Sequence, residues 1–224
     1  MGLDAPTGTF AQLCDELVDL PIEHTDLAYE GMVWNVRRDR VNLGAAGYVT
    51  REYLEHTGAV LVVALREAAD SPEGTDDILL IRQYRHPVRS FLWELPAGLL
   101  DLAGEPPWEA AARELAEEAD LVAGRWHVLA DSYASPGGMT EAIRIYLARD
   151  LTPAALTHAR EGEEAGIRPL WVPLDDAYAA VLAGRVHNAG AMIGILAAWG
   201  SRALAWETLR PADAPWPEHP AYRI

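Results

Sequence analysis

The sequence predicts an α/β fold, a sandwich around a mixed β-sheet with a small, separate β element at the front. Three features predict it. Runs of strand length rich in Val, Tyr and Trp recur between Leu27 and Leu65 and again downstream of Asp77. One amphipathic helix then interrupts the strand runs between Pro106 and Asp120. Helical periodicity takes over after Leu174, so strands and helices alternate within one domain instead of dividing into separate ones.

In chain order, Phe10 to Leu20 carries an amphipathic pattern and reads as a short helix stopped by Pro21. YEGMVWNVRRDRVNL, GYVTREYLEH and GAVLVVALRE follow as strands set off by Gly-containing turns, an antiparallel sheet feeding into a main one. The polar loop AADSPEGTDD leads to the apolar strand DILLIRQYRH and the short strand FLWEL. After the central helix, RWHVLADSYAS and EAIRIYLARDL are strands joined by SPGGMT, and RPLWVPL is a further strand. Leu174-Asp175-Asp176 opens a helix to about Ala183, and NAGAMIGILAAWGSR makes the last one. The tail that follows holds four of the 15 prolines and reads as irregular. The expected organisation is a β element over residues 1–56, a main domain over 57–203 and an irregular tail over 204–224.

A net charge of −16 repels phosphate backbones, which argues against general binding of DNA or RNA. An anionic substrate then needs a local correction, either clustered arginines or a divalent cation. Cys14 is the only cysteine, so no intrachain disulfide or cysteine zinc site exists, and a reduced cytoplasm is the expected compartment. The N-terminus has no basic segment ahead of an apolar core, and no apolar run approaches the ~20 residues that span a bilayer. Membrane partners are not expected.

The central helix carries the chemistry. Pro106 and Pro107 suit a first helical turn, where a missing N–H costs nothing. Trp108, Ala111, Ala112, Leu115 and Ala119 form the stripe expected to be buried. Glu114, Glu117 and Glu118 fall at i, i+3 and i+4 and make a second, acidic patch. Three like charges so close call for compensation, and Mg²⁺ accepts carboxylates together with water and phosphate oxygens. Spacing alone serves a solvated acidic face equally well.

The preceding turn separates the two readings. Residues 94–121 resemble the Nudix box, the signature of the Nudix hydrolases: Gly, five residues, Glu, seven residues, then Arg-Glu-apolar-x-Glu-Glu-x-Gly-apolar. Gly98 opens it, seven residues separate Glu105 from Arg113, and Arg113-Glu114-Leu115-Ala116-Glu117-Glu118-Ala119-Asp120-Leu121 closes it. Six residues separate Gly98 from Glu105 here, and Asp120 replaces the closing glycine. The resemblance implies an α/β/α sandwich and Mg²⁺ or Mn²⁺ held by Glu114, Glu118 and the Ala97 carbonyl. Glu117 would be a further ligand or an orienting acceptor with a part in catalysis. Arg113 and Glu105 would be structural partners, with Glu109 a second partner for Arg113.

Beyond the box, EGMVWNVRRDRV, GYVTREYLEHTGAVLVVAL, RQYRHPVRSFLWELPAGLL and SPGGMTE resemble the ADP-ribose pyrophosphatase branch, over roughly residues 27–200. That likeness implies a homodimer built through the N-terminal sheet. The run RQYRHPVR gathers Arg82 and Arg85, whose guanidinium groups suit a diphosphate near a metal site, and Trp34 and Arg37 on the N-terminal sheet suit an adenine, with a core or interface tryptophan an equal reading. The likeness also places Gly138, Met139 and Glu141 on a pocket loop, although by its residues SPGGMTE is simply a flexible turn. The resemblance also implies a base on the acidic loop AREGEEAGIRP, at Glu163 by its place eight residues before Trp171, with Glu164 next in order and Glu161 beside them, although by its residues alone the loop reads equally as a solvated acidic turn. The expected reaction is metal-dependent hydrolysis of ADP-ribose, or a related nucleoside diphosphate sugar, to AMP and ribose 5-phosphate. The alternative is a regulator with the same fold that binds ADP-ribose without cleaving it; all three box glutamates remain, which favours the enzyme.

Overall fold

In the computed structural model of the chain, residues 3, 5–67, 76–156 and 166–223 are described. The chain divides into two compact units, Met1–Tyr53 and Leu54–Ile224.

The first unit is built on a three-stranded sheet of β1 (Ile22–Tyr29), β2 (Asn35–Asn42) and β3 (Tyr48–Glu55), in the order β1-β2-β3. β1 and β2 are antiparallel, with Thr25 opposite Asp39 and Leu27 opposite Arg37. The acid of Asp39 is buried and accepts from the Tyr53 hydroxyl at 2.9 Å. The helix expected over Phe10 to Leu20 does not form. Only a 3-10 turn, Phe10–Gln12, is present, closed by a capping box between Thr9 and Gln12. The reason is packing: Phe10 is 96% exposed and Leu13 88%, and so short a helix is marginal without a surface to bury its apolar face.

The second unit is a mixed sheet with helices on both faces. Its strands are β4 (Ala59–Glu67), β5 (Asp76–Arg85), β6 (Ser90–Glu94), β7 (Ala97–Leu99), β8 (Leu121–Tyr133), β9 (Ala142–Pro153), β10 (Arg168–Pro173) and β11 (Arg210–Pro211). The main order is β10-β5-β4-β9-β8-β11, with β6 on β5 and β7 on β4. β4 and β9 are parallel, Ala59 lying opposite Ile143 and Ala64 opposite Ala148, whereas β8 pairs antiparallel with β9.

β4 explains why its sequence is apolar without alternation. Leu61, Val63 and Leu65 enter one core with Ile145, Leu147 and Leu95, while Val60, Val62 and Ala64 enter the other with Tyr146, Val128 and Leu79. A central strand covered on both faces has no solvent side to keep polar. Helix α1 (Pro107–Ala119) covers the second face through Ala110, Ala111 and Leu115. Helices α2 (Leu174–Leu182) and α3 (Ala189–Ala203) cover the first. α3 starts on Asn188, whose side chain accepts from the Ala191 N–H at 2.9 Å. It lies close to the sheet because Gly194 has no Cβ to strike Leu95.

The stripe on α1 differs from expectation at its first turn. Trp108 is 37% exposed, and Ala110 with Ala111 seals the core instead. The buried line then continues through Leu115 to Glu118, an acid, so this helix turns a carboxylate into the protein. The tail is mostly turns, as its prolines suggest, yet it is anchored: Arg144 donates to the carbonyls of Ala214 and Pro215, and the Tyr133 hydroxyl to that of Glu218. Among the described residues no helix is long and apolar enough to cross a membrane.

Candidate active site

The turn after β6 and the helix α1 face each other across one cleft of about 470 Å³, lined by Gln83, Arg85, Ala97, Gly98, Leu99, Asp101, Leu102, Arg113 and the acids Glu114, Glu117 and Glu118. Two short-range features put them there. Ala97, Gly98 and Leu99 pair with Leu61, Val60 and Ala59 as β7, a strand too short to show in the sequence pattern. A Cβ on Gly98 would collide with the Glu114 carboxylate, so only glycine lets this backbone approach the helix acids.

The extra residue between Gly98 and Glu105 is absorbed in a turn, with Gly104 at φ 83° and the Glu105 N–H donating to the Leu102 carbonyl at 3.2 Å. Glu105 thereby still meets Arg113, which donates to its two carboxylate oxygens from Nε at 3.0 Å and Nη2 at 3.1 Å. The other side of the same guanidinium serves the acidic patch: Nη1 lies 2.7 Å from Glu114 Oε1 and 3.1 Å from Glu117 Oε2. The hydrogen bond to Glu105, and then the charge of Glu114 against some burial, holds Arg113 firmly protonated. The i,i+4 contact of Arg113 is thus with Glu117, four residues after it, and not with Glu109, four before. At the far end of the helix, Asp120 adopts the left-handed conformation (φ 56°, ψ 35°) that a glycine would take, and its N–H closes on the Ala116 carbonyl at 3.1 Å.

Glu118 is buried, and its Oε2 accepts from the Ala97 N–H at 2.9 Å. That bond ties the Pro-Ala-Gly turn to the helix. The donor set in the cleft consists of carboxylate oxygens and the backbone of Ala97, which is the hard-oxygen chemistry that Mg²⁺ or Mn²⁺ takes. Among the described residues no three acidic, His or Cys side chains already converge on one point. Arg113 supplies positive charge to Glu114 and Glu117 instead. The acids fit a divalent cation in kind and location, and Arg113 already places one positive charge beside Glu114 and Glu117.

Arg85 reaches the cleft from β5. Its Nε lies 3.0 Å from Glu94 Oε1 and its Nη2 2.6 Å from Glu94 Oε2, a bidentate pair in which the acid is buried and the arginine side chain 43% exposed. Gln83, on the same face of β5, lines the cleft as well. Arg82 takes the opposite face by strand alternation. It stacks over Phe91 at 5.0 Å and lines a separate cleft of about 460 Å³ with Gly166, Ile167 and Arg168. The structure therefore brings Arg85 to the carboxylates and does not bring Arg82 there.

Gly138 and Met139 belong to a hydrogen-bonded turn. Both N–H groups donate to the Ser135 carbonyl, and the loop is hooked to Leu54 by the Leu54 N–H on Gly138 and the Thr140 N–H on Leu54. Glu141 follows directly, half-buried, with its Oε1 3.5 Å from His56 Nε2. Burial raises its carboxyl above the usual range. Trp34 and Arg37, at the edge and on the face of β2 in the first unit, are half-buried. Glu161, Glu163 and Glu164 lie outside the described residues. Sequence reasoning missed Gln83, Glu94 and His56. Glu94 alone carried a local signal, as an acid in an otherwise apolar strand.

Comparison with known proteins gives a consistent picture. The NUDIX domain family matches residues 55–192. An "ADP-ribose pyrophosphatase" of Mycobacterium tuberculosis is 40% identical over 196 residues, covering 88% of this chain and 90% of that one. An "ADP-ribose pyrophosphatase" of Bacillus subtilis is 32% identical over 162 residues, 72% of this chain and 82% of that one. The solved structure of an ADP compounds hydrolase superposes with a TM-score of 0.69 at 21% identity, covering 86% of this chain and 98% of that one, so the fold is shared. Because the match spans more than half the chain and carries the very turn and helix that build the cleft, this chain belongs to the Nudix family.

Proposed function

We propose that the chain hydrolyses the diphosphate of ADP-ribose, or of a closely related nucleoside diphosphate sugar, giving AMP and ribose 5-phosphate in the first case. The observation that carries this is the single cleft in which the α1 acids, the Ala97 turn and an Arg85 held by Glu94 meet. An acidic protein has gathered there the two devices that an anionic substrate demands: carboxylates suited to a cation, and a preset guanidinium. The substrate assignment is supported by the ADP-ribose pyrophosphatase relatives, one of them matched along most of its length.

In this reading Glu114, Glu118 and the Ala97 carbonyl hold Mg²⁺ or Mn²⁺, with Glu117 as a further ligand or orienting acceptor. Bound there, the metal neutralises diphosphate charge and lowers the pKa of a water. Arg85 holds a phosphate with its guanidinium, oriented by Glu94. Glu141, on the loop after Gly138 and Met139, and Arg82, Trp34 and Arg37 are further proposed substrate contacts. Glu163, or Glu164 beside it, takes the proton of the attacking water as the new P–O bond forms and the bridging P–O bond breaks. A homodimer through the N-terminal unit is supported by the apolar side chains exposed on it, among them Phe10, Met32, Val33 and Tyr29.

A phosphatase-coupled screen of nucleoside diphosphate sugars, with MgCl₂ and with EDTA, tests the reading. Turnover led by ADP-ribose and abolished by EDTA is expected; no turnover of any member of the panel would overturn it.

A further inference from the structure

Glu141 is the half-buried acid of the Ser135–Glu141 loop, and its Oε1 lies 3.5 Å from His56 Nε2. Three residues, His56-Thr57-Gly58, connect β3 to β4, and every one of them is held from a different quarter. The His56 N–H donates to Thr140 Oγ1 at 2.9 Å, and the same hydroxyl donates back to the His56 carbonyl at 3.2 Å. The Gly58 carbonyl accepts from the Leu100 N–H at 3.1 Å, which ties the turn to the loop after β7. The Thr57 carbonyl lies 2.8 Å from His219 Nε2 in the C-terminal tail. Gly58 sits at φ 87°, and a Cβ there would strike the His219 ring. The turn is thus a junction where the Glu141 loop, the box loop and the tail are joined by hydrogen bonds.

The same bonds fix the state of His56. Its Nδ1 accepts from the Gly58 N–H at 3.0 Å, so a neutral ring carries its proton on Nε2. That nitrogen lies 3.5 Å from Glu141 Oε1, a contact longer than an ordinary N–H···O hydrogen bond. His219 is fixed in the same manner, with Nδ1 accepting from the Ala221 N–H at 3.1 Å and Nε2 donating to Thr57. Burial, reinforced by His219, holds His56 below the ordinary imidazole range, which keeps it a neutral donor.

We propose that His56 is a positioning residue: its Nε2–H aims the Glu141 carboxylate at the substrate, from a turn that the His219 segment of the tail holds in place. The proposal rests on Glu141 contacting substrate, as in the reading above. A glutamate side chain has three free torsions, and an acid preset by a rigid donor binds without first losing that freedom. The tail lies outside residues 55–192, the stretch that matches the family.

The test compares His56→Gln and His56→Asn, each alone and combined with Glu141→Gln, by KM and kcat for ADP-ribose with Mg²⁺. Gln places an amide N–H where Nε2 was; Asn preserves a group facing Gly58 but falls short of Glu141. Positioning therefore predicts a KM within about threefold of wild type for His56→Gln and raised roughly tenfold for His56→Asn, with kcat changed little in either. In the Glu141→Gln background the Asn substitution should add almost nothing. Three results overturn it: rescue by Asn and not by Gln, which marks a structural cap on Gly58; an unchanged KM in both; or an Asn effect that multiplies fully with Glu141→Gln. A Glu141→Gln variant with wild-type KM removes the substrate role of Glu141, and this proposal with it. A wild-type chain that leaves ADP-ribose intact fails the functional reading itself.

Discussion

Arg85 and Glu94 form a bidentate pair across neighbouring strands, with the acid buried and the guanidinium emerging into the cleft that α1 lines. The register places them: Arg85 pairs with Ser90 and Ile81 with Glu94, so the arginine reaches along β6 to the acid. The arginine is thereby aimed before substrate arrives. Glu94→Gln keeps the shape and removes the charge, and should lower kcat/KM roughly 10- to 100-fold, chiefly through KM. Because the arginine side chain is 43% exposed, the cost in stability should stay near 1–2 kcal/mol. Steady-state kinetics beside urea unfolding checks both numbers, and a variant with wild-type KM would remove the assigned role of the pair.

Glu118→Gln separates metal chemistry from the fold. Its amide oxygen can still accept from the Ala97 N–H, so the turn stays attached to the helix. Losing the ligand charge should reduce kcat/KM by roughly 10²-fold or more. The thermal shift on adding MgCl₂ should shrink with it, and a variant that keeps both activity and shift at saturating Mg²⁺ would sink the ligand assignment.

For Glu163→Gln, turnover should fall roughly 10² to 10⁴-fold, as expected for a lost general base, while the Mg²⁺ thermal shift persists. An unchanged rate moves the base to Glu164 or Glu161.

Asp120 holds a left-handed backbone that a β-branched side chain tolerates badly. Asp120→Val should destabilise the chain by about 1–2 kcal/mol, whereas Asp120→Gly should leave its stability unchanged or raise it. Denaturant midpoints measure the difference, and equal midpoints for the two variants would contradict it.

His56 and His219 should make stability depend on pH. Burial holds both below the ordinary value of 6.5, the charge of His219 adding to the effect on His56, so the unfolded chain takes up protons first as pH falls. Their contribution is complete above pH 6.5 and fades as pH drops through it. Glu141, raised by burial from its ordinary 4.5, works in the opposite sense on the acid side. Tm should therefore decline from about pH 7.5 to about pH 6, and decline less in His219→Gln, which has one fewer proton to exclude. Parallel curves would show that His219 contributes nothing.

The sequence by itself determined what depends on neighbours along the chain. Pro107, the Ala111–Leu115 stripe and the i, i+3, i+4 acids are helical spacing, and the doubly covered β4 is an unbroken apolar run; both are visible without a partner strand. Gly98, Glu105 and Arg113 were legible as a box because their spacing is local. Tertiary structure decided what depends on partners remote in sequence. Strand alternation sent Arg82 and Arg85 to opposite faces of β5, and sheet register chose Glu94 as the anchor of Arg85. Folding back of the tail brought His219 to Thr57 and fixed the turn that presents His56 to Glu141. The helix expected near the N-terminus was lost for the same reason: an amphipathic pattern specifies a face to bury, and only the folded chain supplies, or here withholds, the surface that buries it.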